Sequence, residues 1–519
     1  MRNEPATVSQ LLGMRADVGD DHPLLICDSE RLSYGEADRR SALLARGLIA
    51  LGAGKGTHVG LLYPNGVAFV VAMLAAARIG AVVIPFSTFS AAPELHQQLV
   101  DSDTEILLSA TSFRSHDYVR RMAEVLPGST VESGDRLFTV VAPRLRYVFF
   151  DVSRLEELAE KVDESLLNAM EDDVAGSDPL TIVYTSGTTS APKGAMHTHA
   201  SLIGHQRALN GVRDLTASDT LFCNSPFFWI GGLGFALLAT LIAGASLVCS
   251  VSEDPGETLD LLEAERPTVT NGFVAGIVNL TKHPSFAGRD LSSMKRGNLY
   301  PIMDPAARPV DPELRHNMLG LTEAGSVVLI SGDETDQPER RRGSFGRPAP
   351  GLHAKIVDPD TGEPIEEGAR GELCIRGPAL MQRYYQRSRE ECFDADGWLH
   401  TGDLAATDSD GFVYYLGRRG SMIKTAGANV SPAEVENAIG SVTGGPSYVF
   451  GIPDPDRGQV AVAVVVGAEV DEAKLRGELA TRLSAYKIPR RFAILPTSAI
   501  PLLASGKPDL QRMKGLFDA

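Results

Sequence analysis

The chain has 519 residues, of which 43% are hydrophobic and 22% charged, and its formal net charge is −17. At ~100–200 residues per domain that is about three compact units with ample core. The acidic balance excludes a broad nucleic-acid surface, which needs a basic footprint, and any anionic substrate must be met by locally placed cations.

The N-terminal run MRNEPATVSQ has no apolar core and does not read as a secretory signal. YGEADRRSALLARGLIALG (34–52) spaces its apolar residues as a helix, and HVGLLYP (58–64) reads as a strand. GVAFVVAMLAAARIGAVVIPF (66–86) is the most apolar stretch, but Arg78, Gly80 and Pro85 interrupt it. It predicts a buried helix followed by a buried strand rather than a membrane span. TEILLSA (104–110), PLTIVY (179–184) and ASLVCSV (245–251) are further strands. This alternation predicts an α/β fold with mostly parallel sheets. From about 340 short strands and turns dominate, with Asp410-Gly411 as a hairpin turn. After Gly420 the pattern is compact α+β: a helix near 431–440, strands near 447–451 and 460–466, and a helix near 471–484. GRRGS (417–421) is the expected domain boundary. The five cysteines, Cys27, Cys223, Cys249, Cys374 and Cys392, have no metal-ligand spacing and read as reduced thiols of a cytoplasmic chain.

The strand PLTIVY runs into YTSGTTSAPKG (184–194), where Thr185, Ser186, Thr188, Thr189 and Ser190 surround Gly187 and Lys193 closes the stretch. Hydroxyls, backbone N–H groups and one cation on a loop suit a polyanion, with phosphate the obvious candidate. The spacing is not that of a Walker A loop, because Lys193 precedes Gly194. LGAGKGT (51–57) follows a helix and precedes a strand, the reverse of a dinucleotide-binding turn. No GxSxG elbow is present. His197 and His199 lack a third ligand nearby in the sequence. Three later stretches carry polar groups suited to a nucleotide. GLTE (320–323) offers a hydroxyl and a carboxylate beside a glycine. DGWLHTGD (396–403) ends in Asp403, able to grip vicinal hydroxyls. GRRGSMIK (417–424) supplies Arg418.

With these motifs in this order, the chain resembles the adenylate-forming superfamily of acyl-CoA synthetases, peptide-synthetase adenylation domains and luciferases. YTSGTTSAPKG, DGWLHTGD and YYLGRRGSMIKTAGANVSPAEVE carry the resemblance, which extends from LSYGEADRRSALLARGL to ASGKPDLQRMKG. It implies a large N-terminal adenylation domain (1–417) of two α/β layers with a β-rich subdomain near 340–417. A hinge at 418–421 and a small mobile C-terminal domain (422–519) would follow. It implies two half-reactions: a carboxylate attacks the α-phosphate of ATP to give an acyl-adenylate, and a thiol, usually that of coenzyme A, then displaces AMP. In that scheme residues 185–193, including Ser186, Gly187, Thr188, Thr189 and Lys193, cradle the β- and γ-phosphates. Glu323 holds Mg²⁺, and Thr322, beside Gly320 and Leu321, bonds the α-phosphate. Asp403 takes the ribose hydroxyls, with Arg418 on the same side. Lys507 is the catalytic lysine, Gly420 stands at the pivot, and Gly427 approaches the coenzyme A tunnel. The family's adenine-stacking aromatic is replaced by Leu319, and the segment upstream is altered and shortened, with Tyr300 as the substitute stack.

NSPFFWIGGLGF (224–235) aligns with the family's acyl-pocket wall. Phe228 and Trp229 stand where amino-acid-activating relatives carry an aspartate, and Gly231 and Gly232 leave room for a chain or ring. With Tyr300 and Leu319 they define a pocket for an apolar acid, fatty or bulky aryl or alicyclic. A carrier-protein thiol as acceptor, a homodimer, and a nucleotide-binding relative without turnover stay open as alternatives.

Overall fold

A computed structural model describes residues 5–90, 92–128, 131, 134–185, 193–418, 423–425, 428–430, 432–454, 457–467, 470–483, 485–503 and 506–518. They form two compact units. The first gathers the described residues up to Thr185, then 193–353 and 376–392; the second holds 354–375 and those from 393 onward.

The first unit is built on two sheets. One has the strand order Arg296–Gly297, Val269–Asn271, Thr220–Cys223, Ser246–Cys249, Pro23–Cys27 and Glu30–Ser33, and only the last pairing is antiparallel. The other runs Arg383–Tyr384, Lys193–Thr198, Pro179–Thr185, Val82–Pro85, His58–Leu62, Ile106–Ser109 and Tyr147–Phe149. It is parallel except where the first two strands extend one edge antiparallel. The expected α/β architecture is therefore present, and the two-residue side-chain period explains its layering. Leu25, Cys27, Leu221 and Cys223 of one sheet, with Leu61, Ile106 and Leu108 of the other, face a shared core. Their neighbours Ile26 and Phe222 face a second core, and Leu62 and Leu107 a third.

Helices Val8–Val18, Tyr34–Ala50, Val67–Arg78 and His199–Arg213 contribute to the shared core. The second of these starts where Ser33 accepts the Glu36 N–H and Glu36 reaches back to the Ser33 N–H, a capping box written locally as S-x-x-E. The stretch 66–86 is the expected pair, helix Val67–Arg78 and strand Val82–Pro85. The helix is buried on nearly every side, as its apolar composition requires. Its buried Arg78 bonds Ser41 Oγ at 2.9 Å and pairs with Asp38 and Glu171. No described helix is long and apolar enough to cross a membrane.

In the second unit, strands His353–Val357, Gly371–Arg376, Leu399–Thr407 and Val413–Arg418 form one sheet, and Asp410-Gly411 lies in the turn of its last hairpin. A second sheet contains Ile423–Thr425, Ala428–Val430, Gly458–Val466, Ser447–Asp454 and Arg491–Leu495. Ala461, Ala463 and Val465 face the helices Pro432–Thr443 and Glu472–Ala480, while Val462 and Val464 face Met513 and Phe517. The last helix is shorter than the expected 471–484. It stops where the Thr481 N–H turns back to the Glu478 and Leu479 carbonyls.

Candidate functional site

The strand Pro179–Thr185 leaves the sheet core with Thr185 half-buried, and the chain returns as Lys193–Thr198 with Lys193 opposite Thr185. Ser186, Gly187, Thr188 and Thr189, expected to cradle phosphate, lie outside the described residues, as do Gly420 and Gly427. Lys193 is half-buried, with Nζ 5.2 Å from the ring centre of Tyr384.

The GLTE stretch ends a short strand, Leu319–Leu321, and enters one turn of 3₁₀ helix, Thr322–Ala324. Side chains following Lys193 hold this turn. His197 Nε2–H donates to the Thr322 carbonyl at 2.7 Å, and Gln206 Nε2 donates to the Gly325 carbonyl at 2.9 Å. His205 Nε2–H donates to the Val327 carbonyl at 2.9 Å. From the other side the Met381 N–H donates to the Glu323 carbonyl, and Tyr384 Oη–H donates to Glu323 Oε1, both at 2.7 Å. Among the described residues Glu323 Oε2 makes no hydrogen bond, so a half-exposed oxygen donor suited to a hard cation remains available. A Cβ on Gly320 would come no closer than 3.5 Å to another residue, and Gly320 is exposed, so the space over it is open. Leu321 is buried, and Leu319 is half-buried and pairs with Leu329.

His197, His199 and His205 are buried, and burial is the leading cause that pushes each ring down to about 4. They are neutral groups of the core, not a metal pair. The unfolded chain takes up protons on these rings below about 6.5, while the folded unit does not. Stability should therefore be complete above about pH 6.5 and fall as the pH drops toward 4, by up to ~1.4 kcal/mol per pH unit for each ring. Denaturant unfolding at pH 7 and pH 5 measures this; equal stabilities would refute it.

The acyl-wall stretch opens a helical segment that widens to a π-helix over Leu233–Leu238. Phe228 is buried, with its ring edge-on to Phe89 and to Trp229, and Trp229 is edge-on to Phe273 at 5.1 Å between ring centres. Of the two glycines expected to make room for substrate, only Gly231 borders open space. Gly232 is a correction: its Cβ would fall 2.1 Å from the Pro226 carbonyl oxygen, so the backbone fold, not a ligand, requires glycine there. Gly234 likewise lets the π-helix approach the Gly325 carbonyl. The Tyr300 ring packs half-buried against the cluster containing Leu299, Ile302 and Met303, and burial pushes its phenol up.

In the second unit Asp403 is 2% exposed and is the register partner of Arg418 across two antiparallel strands. The strand bearing Asp403 is tied by Glu372, which accepts the Gly402 N–H at 2.9 Å and faces His400 Nδ1 at 3.1 Å. Glu372, Cys374 and His400 bring ligand atoms within 4.8 Å of one another. Spacing could not reveal this group, which strand pairing assembles. Burial pushes the Cys374 thiol up to about 12, which suits a structural rather than a reactive thiol.

Lys507 is exposed at a tight bend. The Leu503 N–H donates to the Lys507 carbonyl at 2.8 Å, a bridge joins Leu502 to Pro508, and Gly506 has φ +76°, which a glycine adopts without strain. The following residues are anchored, with Met513 and Phe517 buried and Arg491 donating to the Phe517 carbonyl at 2.9 Å. Lys507 thus belongs to a folded segment rather than a loose tail.

Lys193 and Glu323 thus meet at one tyrosine in the α/β unit, while the exposed Lys507 belongs to the other unit. Residues 14–385 match the family model of the AMP-binding enzyme, and residues 434–507 match that of the AMP-binding enzyme C-terminal domain. The chain belongs to the AMP-binding enzymes and is an AMP-forming acid–CoA ligase. It is 32% identical over 490 residues to a feruloyl-CoA synthase of Amycolatopsis, covering 92% of each chain. It is 31% identical to the long-chain-fatty-acid–CoA ligase FadD13 of Mycobacterium tuberculosis, covering 92% of this chain and 91% of that one. Among solved structures it resembles ATP-bound MatB from Rhodopseudomonas palustris, with a TM-score of 0.81, 26% identity, and coverage of 98% of this chain and 99% of that one.

Proposed function

We propose that the protein activates an apolar carboxylic acid, fatty or bulky aryl or alicyclic, as its acyl-adenylate and passes the acyl group to the thiol of coenzyme A. The observation that carries the nucleotide half of this reading is the meeting of Lys193 and Glu323 at Tyr384: a cation for phosphate and an oxygen donor for a divalent metal, drawn from segments far apart in sequence. Lys193 and the hydroxyl-rich stretch before it bind the β- and γ-phosphates. Thr322 bonds the α-phosphate, and Asp403 takes the ribose hydroxyls beside Arg418. Mg²⁺ held by Glu323 would neutralise phosphate charge. Lys507 supplies a cation where charge develops as the acyl carboxylate attacks phosphorus.

The aromatic row Phe89, Phe228, Trp229 and Phe273 supports the acyl half. It offers no carboxylate to an amino-acid ammonium group, and leaving that group unpaired would oppose binding. Relatives named for ferulate and for long-chain fatty acids bracket the substrate class.

The test is pyrophosphate release with ATP and a panel of a long-chain fatty acid, a cinnamic-type acid and an α-amino acid, with and without coenzyme A. Adenylation of an apolar acid and a coenzyme A-dependent thioester are expected, with none from the amino acid. Release with no apolar acid would overturn the reading. Thioester only on a phosphopantetheinylated carrier protein would replace the acceptor.

A further inference from the structure

Tyr384 lies on the two-residue strand Arg383–Tyr384, outside every motif that points to the nucleotide. That strand pairs antiparallel with Lys193–Thr198, with Tyr384 opposite Ala195 and Arg383 opposite Met196. Side chains two apart on a strand share a face, so Lys193 is the diagonal neighbour of Tyr384 on that face. The Tyr384 ring stands 5.2 Å from Lys193 Nζ, within cation–π range, while its hydroxyl donates to Glu323 Oε1 at 2.7 Å. Arg387 approaches the same ring at 6.0 Å.

The backbone around the tyrosine is pinned on both sides. The Met381 N–H bonds the Glu323 carbonyl at 2.7 Å, and the N–H groups of Gln382 and Tyr385 bond the Met196 and Gly194 carbonyls at 2.8 Å. Tyr385 Oη–H donates to Asp103 Oδ2 at 2.8 Å. The ring is thus set on a rigid base before any ligand arrives. Among the described residues neither Lys193 nor Glu323 forms an ion pair.

We infer that Tyr384 is the positioning residue for both charges of the phosphate site: its hydroxyl aims the metal-binding carboxylate of Glu323, and its ring face holds the ammonium group of Lys193. The tyrosine gives each charge a separate uncharged partner. Both then stay available for phosphate and metal instead of cancelling each other. This assignment rests on the roles proposed above for Glu323 and Lys193.

The two handles separate by substitution. Tyr384→Phe removes the hydroxyl and keeps the ring, whereas Tyr384→Leu removes both. Binding of Mn²⁺, as a spectroscopic stand-in for Mg²⁺, is read by electron paramagnetic resonance on the ATP-loaded protein; binding of metal-free ATP is read by calorimetry in chelator. Tyr384→Phe should weaken Mn²⁺ roughly tenfold, the order expected for one hydrogen bond to a charged group, and leave metal-free ATP affinity unchanged. Tyr384→Leu should also weaken metal-free ATP, by about two- to fivefold. Glu323→Gln is the control for the underlying roles. If it weakens Mn²⁺ while Tyr384→Phe does not, the positioning role fails and the metal role stands. If Glu323→Gln itself leaves Mn²⁺ binding unchanged, the metal role fails first. Equal metal-free ATP affinity in Tyr384→Leu and Tyr384→Phe would overturn the lysine half. Should Tyr384→Leu not fold, Tyr384→Phe still decides the hydroxyl half.

Discussion

Lys507→Ala should lower the rate of acyl-adenylate formation by about 10²–10³-fold, the loss typical of removing one preorganised group from a developing negative charge. The same variant should transfer the acyl group from a preformed adenylate to coenzyme A at a rate within about twofold of the parent, because no anion then attacks phosphorus. The protein should tolerate the change. The lysine side chain is exposed, and the bend that presents it is held by the backbone bond from Leu503 and by the burial of Met513 and Phe517. An exposed substitution of this kind usually costs less than ~0.5 kcal/mol. Pyrophosphate release measures the first step, and thioester formation from a synthetic acyl-adenylate measures the second. Equal damage to both would show that the lysine serves the active site generally, and an undiminished first step would remove it from the chemistry.

Glu323→Gln should cut adenylate formation by about 10²-fold, as expected when one preorganised partner of the transferring group is lost. The substitution keeps the size of the side chain and an oxygen that can accept from Tyr384. The backbone anchors at Thr322, Glu323 and Gly325 do not involve the carboxylate. Only the charge and its metal affinity are removed. The deficit should shrink as Mg²⁺ is raised, while the melting temperature stays within about 2 °C of the parent. A deficit independent of Mg²⁺ would argue for a role in positioning the turn instead.

Much of the frame of this site could be read locally. PLTIVY announces a buried strand by its β-branched run, and the hydroxyls and lysine after it have the composition from which an anion-binding role is proposed. The hairpin turn at Asp410-Gly411 and the helix–strand pair in 66–86 are likewise matters of nearest neighbours, where a residue's own conformational preference or the local hydrophobic period suffices. Gly232 shows how such reading can find the right residue for the wrong reason. A glycine beside an acyl pocket suggests space, yet this one accommodates the Pro226 carbonyl. The identity of the intruding atom depends on how the chain folds back, which no pattern of apolar residues records.

The chain's order of residues settled the alternation of layers, which follows from side-chain type and period. The phosphate role proposed for Lys193 starts from the composition of its loop, and the nucleotide-directed roles proposed for Glu323, Asp403 and Lys507 rest on the resemblance of their motifs to a family. Packing alone made Tyr384 the neighbour of both Lys193 and Glu323, turned His197 into a buried clamp on Thr322, and joined Glu372, Cys374 and His400. Each of these depends on which distant strands pair and in what register. A shift of one residue in that pairing would turn every side chain on the strand to the opposite face.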